Sequence, residues 1–313
     1  MARRRRGRDL DGVLLLDKPK GLSSNQALSR ARWLFQASKA GHTGTLDPMA
    51  TGLLPVCFGE ATKFSSYALE ADKRYVARVQ LGTTTDTGDA EGQVLQTRPF
   101  TGITEADVLA AIAQFHGEID QTPPMYSALK HNGTPLYELA RQGIEIKRAP
   151  RRINLYHMRL VEWNADAGWF DLDVTCSKGT YIRTLGMDIG EVLGCGAHLT
   201  ALRRLNTGHF DAEGMYSLEQ LEALGDERDA HLLPMDSLIQ HLPRVDITAE
   251  LAAKLALGQR IPVNDCVHME ASVAQMEPLR VYSDDRLLGL VTLTEEGLLA
   301  PKRLIRSTAQ VSA

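Results

Sequence analysis

The sequence predicts an α+β protein with a large first domain and a small β-rich domain at the C-terminal end. Strict alternation of apolar and polar residues in "RYVARVQLG" and "WFDLDVTC" marks half-buried strands, whereas the segments opening at Ser24, Thr104 and Ser177 read as helices. Near the end, "LRVYSDDRLLGLVTLTEEGLLAPKRLI" is a series of short strands separated by turn residues. At 313 residues the chain also exceeds the size at which a single core stops growing, so about two domains are expected.

In chain order, residues 1–10 form a basic arm in which Arg3, Arg4, Arg5, Arg6 and Arg8 crowd together. The run "GVLLL" (12–16) is a buried strand, followed by the turn "DKPKG" and a helix from Ser24 that carries Ala27, Leu28, Ala31, Leu34 and Phe35 on one face. Alternation from Tyr75 to Leu81 places Tyr75, Ala77, Val79 and Leu81 on the apolar side of a strand. "TTTDTGDAEG" is a hairpin connection. It fails the calcium-loop pattern because Gly88 stands where an oxygen ligand is required.

The next helix carries its own punctuation: Thr104 caps it, Val108, Ala111, Ile112 and Phe115 line one face, and Gly117 stops it. Residues 121–152 lack a core pattern at their start and include Lys147, Arg148, Arg151 and Arg152, so they read as a basic insertion. A strand then puts Phe170, Leu172, Val174 and Cys176 together, and the helix after it ends at Gly194. Residues 211–245, acidic with leucine-rich stretches, form a connector, and 246–313 the small β domain with turns at Ser283–Asp285 and Glu295–Gly297.

Several chemistries can be set aside. No apolar run approaches the length that spans a bilayer, and the basic start lacks the apolar stretch of a secretory signal, so the expected location is the cytoplasm. Cys57, Cys176, Cys195 and Cys266 lie too far apart for a C-x-x-C pair and are expected to be buried thiols, with no metal site. Asp9-Leu10-Asp11-Gly12 matches a phosphotransferase signature, but the apolar run follows it where a strand should precede it. "GCGAH" has Leu199 at the third glycine position of a dinucleotide loop, and Cys195 with His198 lacks further ligands. Net charge is −4, so any polyanion would meet local basic clusters and not the protein as a whole.

Two residues stand out. "GHTGTLDPMATGLLP" surrounds a single carboxylate, Asp47, with three glycines, three threonines and two prolines. An Asp before a proline is ordinarily a turn residue. Arg183 falls in the first turn of a helix, where the macrodipole disfavours a cation by about 0.3–1 kcal/mol, so an anion should lie nearby. Asp47 and a bound phosphate both fit, with Lys178 adding a second cation, and spacing alone does not separate these from a solvated arginine.

The ordered segments "KPKGLSS", "GHTGTLDPMATGLLP", "GEATK", "RYVARVQLGTTTDTGDAEG", "PPMYSALKHNG", "YELARQG", "CSKGTYIRTL" and "LRRLNTGHF" resemble the bacterial tRNA pseudouridine-55 synthases, the TruB family, from about Gly12 to Phe210. The stretch from "VYSDDRLLGLVTL" to "PKRLI" is similar to the PUA domain that closes such chains. Thr134 and Pro135 replace the more usual basic pair in the insertion. The resemblance implies a mixed, mainly antiparallel sheet in a catalytic domain over 11–210, with 121–152 an RNA-binding insertion.

It implies an isomerase as well. Making pseudouridine breaks the ribose–N1 bond, turns the uracil and rejoins it through C5, which requires no cofactor, redox centre or metal. By resemblance Asp47 is the carboxylate that attacks the nucleoside or removes a ribose proton, and Arg183 is the partner that keeps it ionised. Tyr75 is the platform on which uracil stacks and whose phenol takes the C5 proton. Tyr181 is a second pocket aromatic, the backbone of Leu202 a hydrogen-bonding wall, and Lys18 a structural or phosphate-contacting residue beside the pocket. His42 is the wedge that fills the space left by a flipped base. The implied partner is the T stem-loop of tRNA, bound by a monomer away from any membrane. A non-catalytic RNA-binding or tRNA-folding module would use the same insertion and PUA segment but would have no need of Asp47 with Arg183.

Overall fold

A computed structural model describes residues 7–270 and 278–306, so Arg3 to Arg6 of the basic arm lie outside the described residues. The chain opens with β1 (Gly12–Lys18), α1 (Ser24–Leu34), β2 (Ala40–His42) and β3 (Thr51–Phe58), then α2 (Ser65–Glu70) and β4 (Lys73–Leu81). A small hairpin pairs β5 (Thr83–Thr85) with β6 (Val94–Thr97), and α3 (Glu105–Ile112) leads to β7 (Gly117–Gln121). Within the insertion, β8 (Lys130–His131) and β9 (Thr134–Pro135) form a minimal hairpin followed by α4 (Leu136–Arg141). The domain continues through β10 (Arg151–Asn164), β11 (Trp169–Cys176), α5 (Ile182–Val192), β12 (Ala197–Thr207) and α6 (Leu218–Ala223).

The main sheet has the order β1-β3-β12-β4-β11-β10-β7, with β2 alongside β3. It is antiparallel except where β12 meets β3 through Arg203 and Arg204. One face is covered by α1, α3, α5 and α6, whose Phe35, Ile112, Leu185 and Leu221 join the sheet's Tyr75, Val79 and Leu172 in one core. At the β1/β3 end the second face is buried too, under Phe64, Leu238 and Ile239 and, from the C-terminal domain, Tyr282, Leu287 and Leu290. Burial on both faces accounts for the unbroken run "GVLLL", whereas β4 and β11 bury one face and therefore alternate.

The C-terminal domain is a six-stranded sheet with its own core, consistent with a PUA-like half-barrel. It comprises β13 (Arg244–Asp246), α7 (Ala249–Ala256), β14 (Ile261–Pro262), β15 (His268–Met269), β16 (Pro278–Ser283), β17 (Arg286–Leu293) and β18 (Leu298–Leu304). Both expected turns separate its last three strands. The expected boundary between residues 245 and 246 falls inside β13, which pairs in parallel with β16.

Four sequence expectations change. The helix expected to open at Ser177 begins only at Ile182, because Ser177–Thr180 forms a turn in which the Thr180 hydroxyl donates to the Ser177 carbonyl. The helix capped by Thr104 ends at Ile112, because the amides of Gln114 and Phe115 bond three residues back and tighten the chain into turns; Gly117, at φ 74°, opens β7 instead. The small domain, expected to be strands and turns, also contains helix α7, capped by Thr248 through the amide of Leu251. Cys266 is half-buried, unlike the other three cysteines, because it follows a short turn at the rim of the small sheet.

Candidate active site

The loop between β2 and β3 is held from several sides before any chemistry is considered. Ser24, at the start of α1, both donates to the Leu46 carbonyl (3.0 Å) and accepts from the Leu46 amide (2.7 Å). The amide of Ala50 closes a turn on the Asp47 carbonyl, and the Gly21 amide donates to Pro48 O at 2.8 Å. Lys18 is wholly buried and its ammonium donates to the carbonyls of Pro19, Leu22 and, at 3.4 Å, Pro48. Burial lowers its pKa to about 8 against the pull of Asp47. Of its two expected roles, these bonds support the structural one: Lys18 is part of the scaffold beneath the loop.

Asp47 emerges from this scaffold at a cleft of about 230 Å3 whose walls include Tyr75, Tyr181, Arg183, Leu202 and Arg204. Arg183 is 4 % exposed and its Nε lies 2.9 Å from Asp47 Oδ2, whereas 36 % of the Asp47 side chain is exposed. The other guanidinium nitrogens donate to the carbonyls of Thr87 (2.6 Å) and Tyr126 (2.7 Å), tying the pair to the β5–β6 hairpin and to the insertion. Arg183 thus meets its anion in the first turn of α5, resolving the conflict with the helix dipole.

A second carboxylate shares that arginine. Asp89 is buried, with Oδ2 at 3.7 Å from Arg183 Nε, and it accepts from the Thr87 hydroxyl and the Glu91 amide. Sequence reasoning discarded its loop as a failed calcium site; no local pattern announces a contact across 94 positions, and only the packing of Gly88 against Met187 and Arg183 brings it in. Arg183 favours the ionised form of Asp47 as expected, but it is not the largest influence on that carboxyl. Desolvation pushes the Asp47 carboxyl above the ordinary carboxylate range, Arg183 opposes that, and Asp89 adds to the rise. The carboxylate is destabilised by its surroundings and only partly compensated, as expected of a reactive group.

Tyr75 is buried on β4 as its alternation requires, and burial raises its phenol pKa while Arg204 acts against the rise. Tyr181 is the N-cap of α5; the side chain of Gln121 donates to its carbonyl (3.1 Å) and accepts from its amide (2.8 Å), fixing where the ring enters the cleft. Leu202 lines the cleft, and its carbonyl accepts from Thr51 Oγ1 at 3.5 Å. His42 ends β2, outside the residues lining the cleft; its buried Nδ1 has no hydrogen-bond partner among the described residues, and burial lowers its pKa. Lys178 does not reach the Arg183 anion but pairs with Glu70 of α2. In the insertion, Arg152 lies 3.0 Å from Glu118 and 3.6 Å from Asp120, and Arg148 3.7 Å from Glu145.

An α+β sheet with a partly buried carboxylate, a buried guanidinium and two tyrosines around one cleft is the framework of a base-modifying enzyme, and comparison with known proteins specifies which. Residues 32–182 match the N-terminal domain of TruB family pseudouridylate synthases, 183–240 the C-terminal domain of tRNA pseudouridylate synthase B, and 243–305 the C-terminal segment of pseudouridine synthase II TruB. The tRNA pseudouridine synthase B of Chromohalobacter salexigens is 55% identical over 313 residues, 100% of both chains, and that of Cupriavidus metallidurans 53% identical over 302 residues, 96% of this chain and 95% of the other. An H/ACA ribonucleoprotein bound to a substrate RNA containing 2'-deoxyuridine shares the fold at TM-score 0.71 and 23% identity, over 95% of this chain and 86% of that one. The chain belongs to the TruB family of pseudouridine synthases.

Proposed function

We propose that the chain isomerises the T-loop uridine of tRNA, position 55, to pseudouridine, with Asp47 as the group that opens the glycosidic bond. The observation that carries this reading is the Asp47–Arg183 pair at a cleft walled by Tyr75 and Tyr181 in a chain of this family. The N1–C1′ bond breaks with Asp47 acting on the nucleoside, the uracil turns, and a C5–C1′ bond forms. The C5 proton passes to Tyr75 and a proton returns to N1, so nothing is consumed. Tyr181 and the Leu202 backbone seat the base, and buried uracil edges need such partners.

A base inside a folded loop must leave its stack to enter this cleft, and His42, whose imidazole burial favours as neutral, is the wedge that takes its place. The first domain, 11–210, carries catalysis; the insertion at 121–152 and the C-terminal domain hold RNA by shape, phosphate and 2′-hydroxyl contacts. The expected acting form is a monomer, and a tRNA substrate accords with a reaction in the cytoplasm. Incubating the protein with a T stem-loop transcript and assaying pseudouridine tests the reading; no product from either the stem-loop or full-length tRNA would defeat it.

A further inference from the structure

Arg204 is the largest fully buried side chain among the described residues, 1% exposed, and it forms no ion pair among them. Burying a cation without a carboxylate is costly unless its donors are well used, so the partners show what the charge is for. Arg204 Nε donates to the Leu53 carbonyl at 2.7 Å and Nη2 to the Gly44 carbonyl at 3.2 Å. Gly44 lies three residues before Asp47 and Leu53 six after it, so one planar group grips both arms of the loop that presents the carboxylate. Gly44 sits at φ 112°, where a side chain is disfavoured, and a Cβ built there would lie 3.6 Å from Arg204 Nη1. The strand beneath is equally tight: a Cβ on Gly52 would meet the Arg204 carbonyl at 2.2 Å. On its remaining side the guanidinium faces the cleft next to Tyr75.

We infer that Arg204 is a positioning residue for the isomerisation, a two-armed staple between Gly44 and Leu53 that sets the Asp47 carboxylate relative to the ring of Tyr75. The inference rests on the isomerase reading above. The two carbonyls are bonded by different nitrogens of the fork, whereas an ammonium holds several carbonyls only where they converge on one point, as they do around Lys18. A loop freed at one arm would let Asp47 shift by a fraction of an ångström to an ångström, leaving RNA binding largely untouched.

The test compares the full-length protein with Arg204→Lys and Arg204→Met, using a T stem-loop transcript. Three quantities are read: single-turnover rate, RNA affinity, and amide hydrogen exchange along the chain. For Arg204→Lys we expect unchanged affinity, a rate lower by about 10- to 100-fold per folded molecule, as a misplacement of about 1 Å produces, and faster exchange confined to residues 43–50. Arg204→Met should show the same pattern more strongly, and if it does not fold the lysine variant decides alone. A wild-type rate in Arg204→Lys overturns the inference. So does a slowed reaction without faster exchange in the loop, or exchange accelerated evenly across the sheet with the rate per folded molecule retained. If the unmodified protein makes no pseudouridine, the isomerase reading fails, and the exchange pattern still decides whether Arg204 staples the loop.

Discussion

Arginine meets aspartate in two quite different ways in this protein. On the open face of the main sheet, Arg78 places Nε and Nη2 each 2.7 Å from the two oxygens of Asp171, its cross-strand neighbour, and stacks over Trp169 at 3.5 Å. Arg74 makes the same fork with Asp173 at 2.9 and 2.7 Å, with Arg159 adding a third donor. There the acid Asp173 is buried and the arginine half-exposed, and hydrogen bonding from Arg74 holds the carboxyl below its ordinary range. In the cleft the arrangement is inverted: the arginine is buried, one nitrogen reaches one oxygen, and the Asp47 carboxyl lies above its ordinary range. A saturated fork spends the carboxylate's lone pairs on structure, whereas the single contact at Asp47 leaves an oxygen free for a substrate.

The largest effect should come from Asp47→Asn, which we expect to abolish product formation in a single-turnover assay while tRNA affinity stays within about threefold, since the carboxylate acts in the chemical step. The same variant should raise the thermal midpoint. A folded-state pKa above the unfolded value means that ionised Asp47 opposes folding at neutral pH, and the amide removes that opposition. Turnover by the variant, or a lowered midpoint, would erase the contrast between the two pairs.

Arg183→Lys comes next, with a rate lower by about 100-fold, because Asp47 and the Thr87 and Tyr126 carbonyls are met by three different guanidinium nitrogens and an ammonium gathers its donors at one point. Full activity would mean the pairing is a matter of charge alone. The pH profile sharpens the point: the single-turnover rate should fall about tenfold per pH unit once the pH drops below the Asp47 pKa, and that break should lie above 3.8. A break at or below 3.8 would count against a desolvated carboxyl.

On the sheet face the signs reverse. Asp173→Ala should cost about 1 kcal/mol of stability, the upper end for an exposed ion pair, because Arg74 and Arg159 are well exposed while the carboxylate is buried. The rate per folded molecule should not change. Since the folded-state pKa of Asp173 is depressed, its contribution is present at neutral pH and is lost as pH falls through that lower value, which urea titrations at pH 7 and pH 3 would show. The smallest effect concerns the insertion. Losing one phosphate contact lowers the slope of log affinity against log salt by roughly 0.7–0.9, and Arg152→Ala should fall short of that because Glu118 and Asp120 already engage the side chain. A full unit of slope would show that RNA displaces both carboxylates.

Much of this was legible in the chain. Local rules sufficed for β1, α1, the alternating β4 and β11 and the three strands of the C-terminal hairpins, because burial on one or both faces writes its period directly into the residues. The long loop around Asp47 and the cation in the first turn of α5 were visible as oddities, and the family resemblance joined them. Local rules failed at the end of α3, where a tighter turn replaced the expected glycine stop, and at Asp89, Gln121 and Arg204, whose importance lies wholly in partners distant along the chain.

The sequence by itself determined which residues could form strands and helices, that Asp47 sits in a glycine-rich turn before a proline, and that Arg183 needs an anion. Tertiary structure alone decided that the anion is shared between Asp47 and Asp89, that Lys18 is sealed beneath the loop, and that Asp47 is raised and not depressed in pKa. Period and propensity are properties of neighbours along the chain, whereas desolvation and the sharing of one guanidinium by several acceptors depend on what the folded sheet brings within a few ångströms.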